Sequence, residues 1–245
     1  MKYAFVTGAN RSIGLEVTRQ LLQRNVYVYL GCRDLDRGQA AVAELKEQGL
    51  LQVEAVVVDI SNPDSVRAAK ETVTNRGTGL DILINNAGIS GGMQQGALTM
   101  DVAAIREVYD TNLFGTIDMV QNFYPLLRES SQPVIVNVTS GLGSLTLHHD
   151  PSWKYYPYKH PAYGPSKTAL NAYTTVLAYE LRDTAFKVNV VDPGYTATAF
   201  NNFSGPNDVS VGAGRIVDFA LPGPDGPTGQ FISYDNNPET GISPW

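Results

Sequence analysis

Tyr163, Ser166 and Lys167 stand in the run Tyr163-Gly164-Pro165-Ser166-Lys167, which opens an apolar-periodic segment. On a helix, residues four apart share a face, so the Tyr163 phenol and the Lys167 ammonium converge on one small volume. The chemistry of such a pair is proton exchange. A free tyrosine titrates at about pH 10, too high for reversible transfer near neutrality, and a nearby cation favours its anion. Tyr-x-x-x-Lys arises often by chance, so its weight comes from what lies upstream. Val134-Ile135-Val136-Asn137-Val138-Thr139-Ser140 is an apolar run ending on two hydroxyls, of which Ser140 precedes a glycine and Thr139 is the rival. Asn112, in Thr111-Asn112-Leu113-Phe114-Gly115, is a polar residue inside a helix-like segment and taken alone reads as locally bonded.

Thr7-Gly8-Ala9-Asn10-Arg11-Ser12-Ile13-Gly14 joins the first apolar run to the first amphipathic one. Glycines allow positive φ and close approach of backbone to a pyrophosphate, and a helix N-terminus supplies free N–H groups and a favourable dipole. Ser12 occupies the middle glycine position of Gly-x-x-x-Gly-x-Gly, trading backbone freedom for a hydroxyl that can meet a phosphate. A ligand-free turn is the bland alternative. Asp59 and Asn85-Asn86-Ala87-Gly88, at the ends of later apolar runs, count against it.

These motifs need a scaffold, and the chain supplies one. Val- and Ile-rich runs at 3–7, 26–30, 53–58, 82–85, 134–138, 188–191 and 230–233 are mostly continuous rather than alternating, as strands buried on both faces are. Between them lie helix-like segments at about 12–25, 34–48, 62–76, 99–129, 160–184 and 208–221. Ser61 before Asn62-Pro63-Asp64, Asp34 and Thr99 are the expected N-caps. The Pro/Gly-rich stretch 221–229 reads as a loop into the last strand. The repeated strand–helix–strand spacing predicts an α/β fold: a Rossmann-type doubly wound parallel sheet of about seven strands, helices on both faces, in one domain over 1–245. Ligands of such sheets sit beyond the carboxyl ends of the strands, where Gly8, Cys32, Asp59, Asn86, Ser140 and Pro193 all fall.

Composition narrows the partners. A net charge of −6 argues against a general nucleic-acid or anionic-membrane surface. No apolar run approaches the roughly 18 residues of a membrane span, and the short apolar start reads as a strand rather than a signal peptide. The single cysteine, Cys32, excludes an internal disulfide framework. A cytoplasmic protein is the default expectation.

At the end of the second strand, an NAD site commonly carries an acidic residue for the ribose 2′-hydroxyl. Here Gly31-Cys32-Arg33 fills that corner, with Cys32 at the acidic position. Arg33, with Arg11 from the glycine-rich turn, offers guanidinium groups suited to a 2′-phosphate. Asp34 reads as the helix cap. NADP(H) is therefore preferred, with NAD(H) as the alternative.

Taken together, Thr7-Gly8 to Gly14, Asp59, Asn86-Ala87-Gly88, Asn112, Ser140, Tyr163/Lys167 and Pro193-Gly194 resemble the short-chain dehydrogenase/reductase family, in its single-domain branch and over essentially the whole chain. Within that family the chain looks most like NADPH-dependent carbonyl reductases. The resemblance implies that Tyr163 donates the proton to a carbonyl oxygen and that Lys167 holds the nicotinamide ribose and favours the tyrosinate. Ser140 would hydrogen-bond the substrate oxygen, and Asn112 would position a water in the relay to Lys167. The cofactor would lie against Gly8, Asn10, Arg11, Ser12, Ile13 and Gly14, then Arg33, Asp59, Ile60, Asn86, Ala87 and Gly88. Its carboxamide would meet Pro193-Gly194 and Thr196 or Thr198, with Thr196 favoured.

The chain departs from the family pattern at one place. Twenty-two residues separate Ser140 from Tyr163, about ten more than is usual in the family. The insertion, about 142–162, holds all three histidines (His148, His149, His160) and Trp153. Adjacent histidines rarely ligate one ion together, so no metal is expected. The insertion reads either as a polar surface loop or as an aromatic wall of the substrate cleft, with Phe200 and Phe203 opposite, in the substrate loop of about 195–212. It could also cover the helix surface through which family members form homodimers or homotetramers, favouring a monomer. The expected function is reversible NADPH-dependent reduction of an apolar or aryl ketone or aldehyde. The alternatives are a short-chain dehydrogenase of a specific steroid, sugar or acyl metabolite, and a catalytically silent NADP-sensing protein.

Overall fold

Along the first strand, Ala4 and Val6 point into one apolar cluster and Phe5 into another. A strand with both faces buried has no polar side to alternate with, which is why these runs read as continuous. The computed structural model describes residues 1–92, 96–223 and 225–245. Its strands are β1 Lys2–Val6, β2 Val26–Cys32, β3 Val53–Val57, β4 Ile82–Asn85, β5 Val134–Val138, β6 Lys187–Val191 and β7 Phe231–Ile232. They pair in parallel in the order β3-β2-β1-β4-β5-β6-β7. Strand order reverses between β1 and β4, and a crevice opens there at the carboxyl edge.

The helices are α1 Ser12–Gln23, α2 Leu35–Glu47, α3 Pro63–Arg76, α4 Val102–Tyr109, α5 Thr116–Leu127, α6 Leu145–His148, α7 Tyr163–Glu180 and α8 Val209–Ala220. Val17 and Leu21 of α1, Leu45 of α2 and Ile216 of α8 fill one face of the sheet. Val66 and Val73 of α3, Phe123 of α5 and Leu177 of α7 fill the other. The single doubly wound domain is as expected.

Several boundaries differ, each for a local reason. The segment expected as one helix over 99–129 is α4 and α5 joined by a π-helical turn at Asp110–Gly115. It starts from Asp101, whose carboxylate accepts from the Ala103 N–H, and not from Thr99. The cap of α3 is Asn62 rather than Ser61. Pro63 takes the first helical position, forcing its predecessor into extended backbone, and Asn62 Oδ1 accepts from the Asp64 and Ser65 N–H groups. Pro161 similarly keeps His160 out of α7, which begins on Tyr163 itself. Asp34 caps α2 as expected, accepting from Arg37 N at 3.1 Å. The loop over 221–229 leads into β7, although its residue 224 lies outside the described residues.

Candidate active site

Gly8 leaves β1 at φ +62°, and a Cβ there would sit 3.1 Å from the Ala87 Cα. A Cβ on Gly14 would come within 2.4 Å of the Gly8 carbonyl oxygen. Glycine at both points lets the turn fold against the end of β4. The Thr7 hydroxyl accepts from the backbone N–H groups of Asn86 and Ala87, both at 3.0 Å. In return the Asn86 amide donates to the Thr7 carbonyl at 2.8 Å. Asn86-Ala87 thus fastens the glycine-rich turn to β4. Ser12 takes φ +50°, occupying the left-handed region where the expected glycine would sit without strain.

A cleft of about 730 Å³ runs along the carboxyl edge from this turn. At one end α1 begins with no side-chain cap on its first turn, so its backbone donors face the cleft. Asn10, Arg11, Ser12 and Ile13 line that end. Arg33, Asp34 and Arg37 face it across the end of β2, while Cys32 is buried with its sulfur toward the Val56 carbonyl. Asp59 and Ile60 form the floor; one Asp59 oxygen already accepts from the Ser61 N–H and hydroxyl. Uncapped helix donors beside three arginines make a donor set that fits a dinucleotide bearing an extra phosphate.

At the other end stand Ser140, Tyr163 and Lys167. Ser140 follows β5 in extended backbone, its hydroxyl accepting from Leu142 N at 3.2 Å, and lines the cleft with Tyr163. Thr139, the rival hydroxyl, donates instead to Asn171 Oδ1 at 2.6 Å and is buried. The Lys167 ammonium lies 5.9 Å from the Tyr163 ring centre and donates to the Val138 carbonyl at 2.8 Å. Burial lowers the Lys167 pKa to about 8, with the Asp192 carboxyl pulling the other way. Burial, reinforced by Asp192, pushes the Tyr163 phenol up, and the Ser140 hydroxyl opposes this. The phenol is thereby held protonated. Burial raises Asp192 too, despite the Ser233 hydroxyl at 2.6 Å and the Gly194 N–H at 2.9 Å.

Asn112 sits behind the cleft in the π-helical turn, wholly buried. Its side chain accepts from Ile89 N at 2.8 Å and donates to Ile89 O at 2.9 Å and Ser166 Oγ at 3.0 Å. It ties the loop after β4 to α7, rather than bonding only to its own helix. A Cβ on Gly88 would lie 3.1 Å from Asn112 Oδ1 and 3.6 Å from Lys167 Nζ, so the two residues approach each other across Gly88. Pro193, Gly194, Thr196 and Thr198 line the cleft after β6. The Thr196 hydroxyl is engaged with the Pro193 and Gly194 carbonyls, at 3.3 and 3.2 Å.

A family model described as short chain dehydrogenase matches residues 2–208. The chain belongs to the short chain dehydrogenase family. Among its curated relatives, the short-chain dehydrogenase anuI of Penicillium roqueforti is 33% identical over 237 residues, covering 94% of this chain and 93% of that one. The (+)-neomenthol dehydrogenase of Capsicum annuum is 31% identical, covering 94% and 95%. Among solved structures, NADPH-bound carbonyl reductase from chicken fatty liver superposes with a TM-score of 0.85 at 25% identity, covering 100% of this chain and 99% of that chain. Salutaridine reductase from Papaver somniferum gives 0.82 at 28% identity, covering 94% and 99%. The family is one of oxidoreductases acting on alcohol and carbonyl groups.

On this short chain dehydrogenase the insertion is no plain surface loop. Gly141–Gly143 forms a 3-10 turn and Leu145–His148 a short helix, after which Tyr155, Tyr158 and His160 line the cleft. Trp153 does not face the cleft; it is buried behind, its indole N–H on Asn236 Oδ1 at 3.2 Å. Both ring nitrogens of His148 are engaged, by the Leu142 carbonyl at 3.0 Å and by Lys159 Nζ at 2.9 Å. Phe200 lies tilted against the Tyr163 ring, centroids 5.3 Å apart, as the expected opposite wall. Phe203 does not join it and stays exposed. Nor does the insertion cover all of the outer face of α7, where Val176 and Tyr179 remain exposed. Its Gly143 carbonyl accepts from Thr168 and Asn171 of α7 at 3.0 and 3.4 Å, and Trp153 and Tyr155 bond to the segment after β7. Among the described residues no helix is long and apolar enough to cross a membrane.

Three site residues were missed in the sequence. Arg37 sits one turn beyond the Asp34 cap, and that spacing was the available signal. Asp192 is a carboxylate between Val190-Val191 at the end of β6 and Pro193, an oddity that pattern reading passes over. Asp235 carries no motif at all.

Proposed function

We propose that this protein is an NADPH-dependent carbonyl reductase, converting an apolar or aryl ketone or aldehyde to its alcohol in a reversible reaction. The observation that carries the reading is that Ser140, Tyr163 and Lys167 line one cleft together, with the Lys167 ammonium 5.9 Å from the phenol ring, at the far end from Arg11, Arg33 and Arg37. When bound, NADPH supplies the hydride. The uncapped start of α1 and Gly8 would hold its pyrophosphate, and Arg33 with Arg37 its 2′-phosphate. Asp59 and Ile60 would border the adenine side. Ala87, Gly88, Pro193, Gly194, Thr196 and Thr198 would flank the nicotinamide half.

Ser140 donates to the carbonyl oxygen and orients it toward Tyr163. The protonated phenol then delivers its proton to that oxygen as the alcohol forms. Lys167 bears its charge close to the phenol, which favours the tyrosinate left behind and so eases loss of the proton to the substrate oxygen. Asn112 fixes the Ile89 backbone against α7 and so holds the wall beside Lys167; we assign it the positioning of the relay that returns a proton. The aromatic lining of Tyr155, Tyr158 and Phe200 supports an apolar or aryl substrate, because such rings exclude water and offer flat contact surface. The proposed compartment is the cytoplasm.

The test is NADPH oxidation with a panel of ketones, for the wild type and for Tyr163→Phe. Losing a well-placed general acid should lower kcat by about 10²–10⁴, with NADPH affinity nearly unchanged. Full activity in the variant would remove Tyr163 from the proton step.

A further inference from the structure

Tyr155 is the hub of an aromatic chain inside the insertion. Its ring meets Trp153 at 5.6 Å, Tyr158 at 6.0 Å and, across the cleft's rim, Tyr195 at 6.2 Å, all in edge-to-face geometry. Its hydroxyl donates to Asp235 Oδ2 at 2.9 Å. That same oxygen accepts from the backbone N–H of Tyr195 at 2.8 Å. The other carboxylate oxygen takes Arg215 of α8 at 3.0 Å, and the guanidinium also reaches the Pro193 carbonyl at 3.0 Å. The Asp235 side chain is 9% exposed. One buried carboxylate therefore ties together the insertion, the lip after β6, α8 and the segment following β7.

Nothing in the proton-transfer machinery needs this carboxylate. What it does fix is the spacing of two walls, because Tyr155, Tyr195 and Asp235 all line the substrate end of the cleft. Burial alone would raise the Asp235 carboxyl, but the bonds from Tyr195 N, Arg215 and Tyr155 outweigh it and hold the group below the ordinary carboxylate range. Asp235 is thus a charged acceptor, and hydrogen bonds to charge are the stronger kind. Removing one donor leaves a buried acceptor underpaired, and the wall that carried the donor is released.

We infer that Asp235 is a positioning residue for substrate selection, and that Tyr155, held by it, is the specificity-determining wall that fits this cleft to flat aryl ketones. The inference rests on the reductase reading and adds to it the device that sets cleft width. Two variants separate the parts. Tyr155→Phe keeps the ring and removes only the hydroxyl, while Asp235→Asn keeps the shape and removes the charge.

The experiment measures kcat and KM for acetophenone and for the small aldehyde propanal. It also measures equilibrium binding of acetophenone to the NADP⁺-bound protein through tryptophan fluorescence, since Trp153 touches Tyr155. For Tyr155→Phe, KM and Kd for acetophenone should rise about ten-fold, the weight of one charge-assisted bond. The kcat, the propanal KM and the NADP⁺ Kd should stay within about two-fold, a split that a general loss of structure would not give. Asp235→Asn should follow the same pattern; if it does not fold, Tyr155→Phe alone decides. An unchanged acetophenone KM, or a parallel fall in NADP⁺ affinity and kcat, overturns the inference and leaves the reductase reading standing. A wild type that binds acetophenone but reduces no carbonyl overturns the reductase reading, while the binding arm still reads the wall. A wild type that neither binds acetophenone nor reduces either carbonyl overturns both, and one that reduces propanal but does not bind acetophenone overturns the inference alone.

Discussion

Lys167 is a buried amine, and its titration gives a direct check on the site. Its pKa is lowered by burial from 10.5 to about 8. Because the folded value lies below the unfolded one, the unfolded chain binds the proton more tightly between those values. Stability from this group is therefore least below pH 8 and rises as the pH climbs toward 10.5. Tyr163 works oppositely: its raised phenol favours the folded state until the ordinary value of 10.0 is passed and the contribution is then lost. Between pH 8 and 10 the buried Cys32 thiol, raised above its ordinary value of 9.0, works against the lysine, so the comparison with a lysine variant isolates the Lys167 effect. Thermal unfolding of the cofactor-free protein should show a rise of Tm across that window, diminished in Lys167→Met. An identical rise in the variant would mean that the ammonium is solvated. None of this was visible as a number in the sequence, where Tyr163 and Lys167 show only a shared helix face. Desolvation depends on Val138, Gly88 and Asp192 arriving from three other elements.

At the scale of elements, the junction of β2 and α2 carries cofactor choice. Cys32 ends the strand and is buried, Asp34 is spent as the helix cap, and Arg33 and Arg37 are left facing the cleft. Arg33→Ala should weaken NADPH by about ten-fold, the order of one charge-assisted contact, while NADH binding stays near its original level. Arg37→Ala should act in the same direction but less, since its guanidinium also faces Asp34 at 3.5 Å. Equal losses for both cofactors, read by fluorescence titration, would refute the assignment. The elements themselves were largely legible, because buried parallel strands and capped helices write local patterns. The misread boundaries at Thr99, Ser61 and residue 160 all turn on one competing acceptor or one proline. The π-helical turn at Asp110–Gly115 has no sequence mark, being set by Asn112 reaching sideways to Ile89 and Ser166.

Across the whole molecule, the parallel sheet puts residues from six strand ends along one edge, and the motifs predicted to meet there do line one cleft, with Asn112 just behind. The sequence could not show where the insertion goes. Its aromatic residues pack against Asp235 and Asn236, some 80 residues later in the chain, and no local pattern encodes so distant a partner. The same remoteness hid the exposure of Val176 and Tyr179, which leaves the expected covering of that helix face incomplete.

The claim on which the rest depends is that one carbonyl oxygen is gripped by the Tyr163 phenol and the Ser140 hydroxyl together. A crystal structure of the complex with NADP⁺ and acetophenone tests it most directly. Both hydroxyl oxygens should lie within about 3 Å of the ketone oxygen, with the ring of the ketone against Tyr155 and Phe200. A ketone bound with its oxygen turned away from Tyr163, or seated outside this cleft, would contradict the account.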